Sequence, residues 1–401
     1  MKKIVIIPLV VLLLASFGCE TKQKGPSNLS VGKSKLINSG NALEAVGHLE
    51  KAEEEEVNKL EPRALLVIAY SYGVSTGDAD RAGEGAKFKN QRSQRIEALT
   101  EAEMKHILQV LNDQRSQVRK AGLQALVEKG HDAAVLILDS LVNKRYPSLH
   151  VDFTDWMLVE MGADELDLIL TRLTDETTSS TLKGKLVQVL AEIGDAKAVD
   201  ALKSVQTGST IDPGLAMQIN TTLYQLGEKS YRKEIIAGIS HSDVAVRRAA
   251  SKTMVDIDGI SPKTLIAGLK DEDSEVVTAL VEALAVHKDV AAVDELINIL
   301  IGELSNDPKQ AALETLDIYG QNKLARGLAK SATALLIGGT VSDPDNRYYL
   351  VQLLRREPFK KQIKALKTIE DLGSKLHEYH EKKEQEDLVK IPLAQLLNEV
   401  Q

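Results

Sequence analysis

A chain of 401 residues with a net charge of −8 and 3% aromatic residues is a poor match for nucleic acid. Phosphate binding relies on clustered Lys and Arg that release counterions, and single strands also want aromatic platforms; the same shortage of rings speaks against a sugar-stacking site. The length supports either two or three globular domains or one elongated array without a single large core, and the repeats described below favour the array.

Met1, Lys2 and Lys3 lead into an uninterrupted apolar run of twelve residues, Ile4 to Ala15. This reads as a signal-peptide core, because a membrane span needs about 20 apolar residues to cross roughly 30 Å of hydrocarbon. The run ends in Leu14, Ala15, Ser16, Phe17, Gly18 and Cys19, the only cysteine of the chain. This segment resembles the lipobox of bacterial lipoproteins, in which a small residue precedes a cysteine that is acylated on sulfur and becomes the new N-terminus. Gly18 and Cys19 fit the pattern, whereas Ser16 stands where the family usually has Leu or another aliphatic residue. The resemblance implies a signal peptide over residues 1–18, lipid on Cys19 and anchoring to a membrane of the cell envelope. Glu20 is not the Asp that retains many such proteins at the inner membrane, so the outer membrane, on its periplasmic or surface face, is the expected location. Cleavage removes Lys2 and Lys3 and takes the net charge from −8 to −10.

Residues 19–33 are polar, contain Gly, Ser and Pro, and show no apolar period, which predicts a flexible tether. Over 34–98, Leu36, Ile37, Gly40, Ala42, Leu43, Ala45, Val46, Leu49 and Ala52 fall at helical spacing. They resemble a tetratricopeptide hairpin, and Ala64, Leu65, Leu66, Ala69, Tyr70, Gly73 and Gly77 suggest half of a second one. Its partner helix is expected to dissolve into the Gly-rich, basic stretch from Arg81 to Arg95, read as a solvated loop.

Thr100 and Glu103 form a capping box that opens the next region. From there Gly130, Gly162, Gly194, Gly227 and Gly259 recur 32, 32, 33 and 32 residues apart, each closing an apolar helical segment that a second amphipathic segment follows. Glycine suits such a spot because helices commonly close on a left-handed residue. Two further units continue the series, one with His287 or Lys288 where the glycine belongs and one that recovers it at Gly320. The reading is therefore about seven helical hairpins over 99–340, followed by capping helices over 341–401 beyond a break in register at Pro344.

Thr-Pro-Leu-His, the ankyrin signature, is absent, and the packing positions hold Ala, Val and Leu where tetratricopeptide repeats would place large aromatics. What recurs is Asp before the helix and Val-Arg within it: Asp113 with Val118 and Arg119, Asp243 with Val246, Arg247 and Arg248, and Asp271 or Asp273 with Val276. This resembles the short HEAT-like repeats of the phycobilisome-lyase type, over about residues 100 to 335. The resemblance implies an all-α solenoid of stacked hairpins, a HEAT-like superhelix, whose second helices line a concave face for a protein or peptide.

No convergent set of acid, base, nucleophile or metal ligands emerges, so neither catalytic residues nor a cofactor is expected. His377 and His380 share a helix face but sit in a charged run from His377 to Asp387, read as solvated. Ser180 and Lys183 satisfy Ser-x-x-Lys without the companion motifs of penicillin-binding enzymes. Arg81, Lys87, Lys89, Arg92 and Arg95 form the one dense basic patch, and Arg119 and Arg247 are expected to pair with Asp residues. The expected function is a membrane-anchored scaffold for a protein or peptide, with no nucleic acid; the alternative is a lyase-like or small-ligand-handling protein on the same repeats.

Overall fold

Helices begin where a side chain can accept their free amides. Thr100 and Glu103 make the capping box, with Glu103 N donating to Thr100 Oγ1 at 3.3 Å and Thr100 N donating to Glu103 Oε2 at 2.9 Å. Asp212, Asp243, Asp273 and Asp343 each accept amides at a helix N-cap, two of them followed by Pro213 and Pro344 at the first helical position. The computed structural model describes residues 26–111, 116–143, 151–207, 211–288, 290–320, 324–366 and 372–400. The expected signal peptide, Cys19, the start of the tether and Asp113 lie outside the described residues. Every regular element among the described residues is helical, so the protein is all-α. It divides into two units, residues up to 137 with 146–157, and 138–145 with 158–401.

The first unit holds α1 (Asn28–Ser34), α2 (Ala42–Glu55), α3 (Leu60–Ser75), α4 (Asp78–Arg81), α5 (Gly85–Glu97), α6 (Glu101–Leu111) and α7 (Ser116–Lys129), and α8 (His131–Asn143) and α9 (Val151–Met161) are shared with the second. Helix α3 is buried at every position from Ala64 to Gly73 and is surrounded by α2, α5, α6 and α7. An all-round apolar helix is stable only in such an enclosure. Gly73 lets the Phe88 ring approach, since a Cβ there would lie 2.5 Å from it, and Phe88 meets Tyr70 edge to face at 4.9 Å.

Two expectations are corrected here. Part of the tether is a helix: Ser27 caps α1, Gly32 packs on Leu49, and a π-helical turn over Lys35–Ser39 closes at Gly40 with φ of +62°. The basic stretch is α5, with Phe88 and Ile96 buried. Few apolar residues are needed on it because the flanking arginines are held by carboxylates: Arg92 by Glu128 and Arg95 by Glu53.

The second unit continues as hairpins: α10 (Leu166–Thr174), α11 (Ser180–Ile193), α12 (Ala198–Thr207), α13 (Pro213–Gln225), α14 (Arg232–Gly238), α15 (Val244–Lys252), α16 (Pro262–Gly268), α17 (Ser274–His287), α18 (Val293–Ile301), α19 (Asn306–Gly320) and α20 (Ala325–Ile337). The first helices α11, α13, α15, α17 and α19 pack each on the next, which makes the unit solenoid-like. Helices α21 (Pro344–Arg355), α22 (Glu357–Leu366), α23 (Leu372–Lys382) and α24 (Asp387–Val400) share one continuous core with the hairpins, in which Ile235, Leu280, Leu316, Phe359 and Leu393 are all fully buried.

The glycines at the hairpin corners, Gly130, Gly162, Gly194, Gly227 and Gly259, have φ between +41° and +108°. Lys288 occupies the same left-handed position with φ of +53°, closing α17 through its N–H to Leu284 O at 2.9 Å. Gly320 is different. It is the last residue of α19 and is absent from the left-handed set. A Cβ there would lie 2.4 Å from the Phe359 ring, so close packing, not a helix cap, requires glycine.

Candidate binding groove

Small residues on successive first helices draw them together. A Cβ on Gly184 of α11 would lie 2.9 Å from Gln218 Oε1 of α13, and one on Gly214 would lie 2.8 Å from Ala245 of α15. Between these close approaches opens a groove of about 540 Å³. Val187 and Ala191 of α11, Thr221 and Thr222 of α13 and Ala249 of α15 line it, with Gln188, Glu192, Gln218 and Gln225 among its polar residues. Gln188 and Gln218 are exposed, and their side-chain amides have no protein partner among the described residues. The groove lies on the first helices of the hairpins. The small residues, and with them the hollow, sit on the first helices.

One edge is built of charge. Arg248 donates to both oxygens of Asp273 at 3.0 and 2.6 Å and reaches Glu275 at 2.8 Å, and Lys252 reaches the same Glu275 at 3.4 Å. The Arg248 hydrogen bond, joined by the amide of Val276, holds the Asp273 carboxyl below the usual range against the opposing effect of burial. Beside it Arg247 binds Asp271 at 2.6 and 3.1 Å and donates to the carbonyls of His241 and Ser242 at 3.0 and 3.1 Å. These cations are structural, as the sequence suggested for Arg247; Gln225 donates to Asp256 at 3.0 Å, which leaves the amides of Gln188 and Gln218 and the carboxylate of Glu192 as the groove's uncommitted groups.

The other candidates are dispersed. Ser180 is exposed at the start of α11, where Ser179 does the capping. His377 is exposed, and His380 Nδ1 lies 2.9 Å from Glu381. Among the described residues no group of three His, Cys, Asp or Glu is placed to hold a metal, and no helix is long and apolar enough to cross a membrane. The basic patch is largely neutralised: Arg81 pairs with Asp78, Lys89 with Asp80, Arg92 with Glu128 and Arg95 with Glu53.

The charged run from His377 to Asp387 is not wholly solvated. Glu384 is 1% exposed and accepts from Arg347 at 2.9 and 3.1 Å, from Tyr379 Oη at 2.7 Å and from two backbone amides. Burial would raise its pKa, but the hydrogen bonds from Arg347 and Tyr379 outweigh it and hold the carboxyl below the ordinary range. Only the spacing of Asp343 and Arg347, which repeats that of Asp243 and Arg247, hinted at this anchor.

Fold and groove together define an all-α, solenoid-like protein with a groove of mixed polar and apolar lining along its first helices. No protein-family model matches the chain. It is similar to the flagellar motor switch protein FliG of Vibrio cholerae serotype O1, with 21% identity over 150 residues, 37% of this chain and 41% of that protein. The chain thus spans about two-fifths of the length of the curated relative it matches. The crystal structure of an engineered protein aligns over 94% of this chain and 92% of its own, at 14% identity and a TM-score of 0.39.

Proposed function

We propose that the chain is an exported lipoprotein, held at an envelope membrane through lipid on Cys19, that binds an extended segment of a partner protein in the groove along α11, α13 and α15. The observation that carries the binding role is the pair of unpartnered amides of Gln188 and Gln218 beside a floor of Thr and Ala. A primary amide offers one acceptor and two donors, the complement of a peptide main chain, and an extended segment brings its own unpaired N–H and C=O groups. The cations at the edge are already paired, so main-chain hydrogen bonds, not charge, would hold the segment. The partial similarity to a motor switch protein agrees with a role among polypeptides and goes no further.

A photocrosslinking residue at Gln218 should give a covalent adduct with a polypeptide in cells, one at Lys263 on α16 should not, and Thr222→Arg, which fills the groove, should abolish the adduct at 218. Equal adducts at 218 and 263, or none at 218, refute the groove. The anchor has its own test: Cys19→Ala should end labelling by radioactive fatty acid and release the protein from membranes, and unchanged labelling sinks it.

A further inference from the structure

The corner between α21 and α22 carries an imbalance of charge that the helical stack does not need. An open cavity of about 670 Å³ is lined there by Arg355, Arg356 and Lys361, with Asp317, Glu357 and Gly320 among its other residues. Three cations meet in a chain whose net charge is −8. The nearest carboxylates make their direct contacts with another lysine, and Arg355 and Lys361 act on Glu399 and Glu357 only at longer range. Glu357 and Glu399 both bind Lys360 Nζ, at 2.6 and 2.7 Å. Asp317 reaches Arg356 only at 4.0 Å. Among the described residues Lys361 has no ion-pair partner, and Arg355 Nε is closed off from solvent with no acceptor at all.

We propose that this corner is a binding site for the phosphoryl group of a small molecule. The planar fork of a guanidinium matches two oxygens of an oxyanion, and an ammonium adds a compact point charge, so Arg355, Arg356 and Lys361 together suit a tetrahedral anion carrying more than one charge. A carboxylate, with one charge and two oxygens, offers these cations less charge and fewer acceptors than a phosphoryl group does. The cavity lies within the range of roughly 300–1,000 Å³ usual for small-molecule sites, which leaves room for a body beyond the phosphoryl group. Gly320 and Ala325 also line it, adding little bulk.

Calorimetric titration of the full chain in low-salt, phosphate-free buffer tests this with inorganic phosphate, a nucleoside monophosphate and acetate as probes. One saturable site for phosphate or the monophosphate is expected, with acetate failing to compete at equal concentration. Tighter binding of the monophosphate assigns the site to a larger phosphorylated molecule, and equal binding assigns it to free phosphate. Arg355→Gln and Lys361→Gln should each weaken binding by about tenfold, the scale of one charged hydrogen bond, with helical circular dichroism unchanged. Lys252→Gln, on the distant α15 edge, should leave it as it is. Two variants guard against a folding defect in either one. No saturable binding, equal competition by acetate, or binding that survives both substitutions overturns the proposal.

Discussion

Two corners of the second unit repeat one arrangement, an Asp cap with an Arg four residues on, and end in different surroundings. At the start of α15, Asp243 caps the helix and Arg247 folds back onto the carbonyls of His241 and Ser242; at the start of α21, Asp343 caps and Arg347 folds back onto those of Val341 and Ser342. The carboxylate that completes each corner lies 24 residues on in the first, at Asp271, and 37 residues on in the second, at Glu384. Side-chain exposures of 19% and 9% for the first pair fall to 13% and 1% for the second. Local sequence thus fixes the cap and the fold-back, while topology chooses the partner and how far it is withdrawn from water.

That contrast predicts unequal costs when the carboxylate is removed. Glu384→Ala strands Arg347 and Tyr379 in a buried site and should lower unfolding stability by about 3–5 kcal/mol, read as a shift in the urea midpoint. Because the folded pKa of Glu384 lies below its ordinary value, its contribution is complete above that ordinary value and is lost as pH falls through the folded one. Glu384→Gln should accordingly flatten the acid limb of the stability curve; an unchanged limb would assign acid sensitivity to other groups. Asp271→Ala should cost less, about 1–3 kcal/mol, because that pair keeps more contact with water and strands no second donor such as Tyr379. The comparison extends to the ends of the first helices, where Gly259 and Lys288 occupy the same left-handed region. Lys288→Gly should stabilise by about 1 kcal/mol, since a side chain there is strained and glycine is not; thermal denaturation of the variant measures it. A lower midpoint would mean that the lysine makes a contact worth more than the strain.

The features legible in the sequence are those enforced within a few residues. The capping box at Thr100 and the glycines at the hairpin corners need only local geometry, so their spacing reveals them. Lys288 shows that the corner persists where its usual residue is lost: the tertiary packing of α17 on α15 and α19 holds the turn. What was illegible depends on partners far along the chain. Helix α5 lacks an apolar stripe because Glu53 and Glu128 come to its arginines. Gly320 imitates a cap in spacing but answers to Phe359, and Glu384 hides in a run of charge because its partner is Arg347. The position of this groove was illegible for a related reason. Which of two amphipathic helices faces a hollow depends on how small the residues are where neighbouring hairpins touch, and a single hairpin's periodicity does not contain that.

Helix α1 also bears on how far the body could stand from a membrane. Eight residue steps separate Cys19 from the cap of α1 at Ser27, and whatever their conformation they reach at most about 28 Å. Had that stretch run to Lys33, the limit would be nearly twice as long. If the proposed lipid is present, the start of α1 would stand no farther than about 28 Å from the membrane surface.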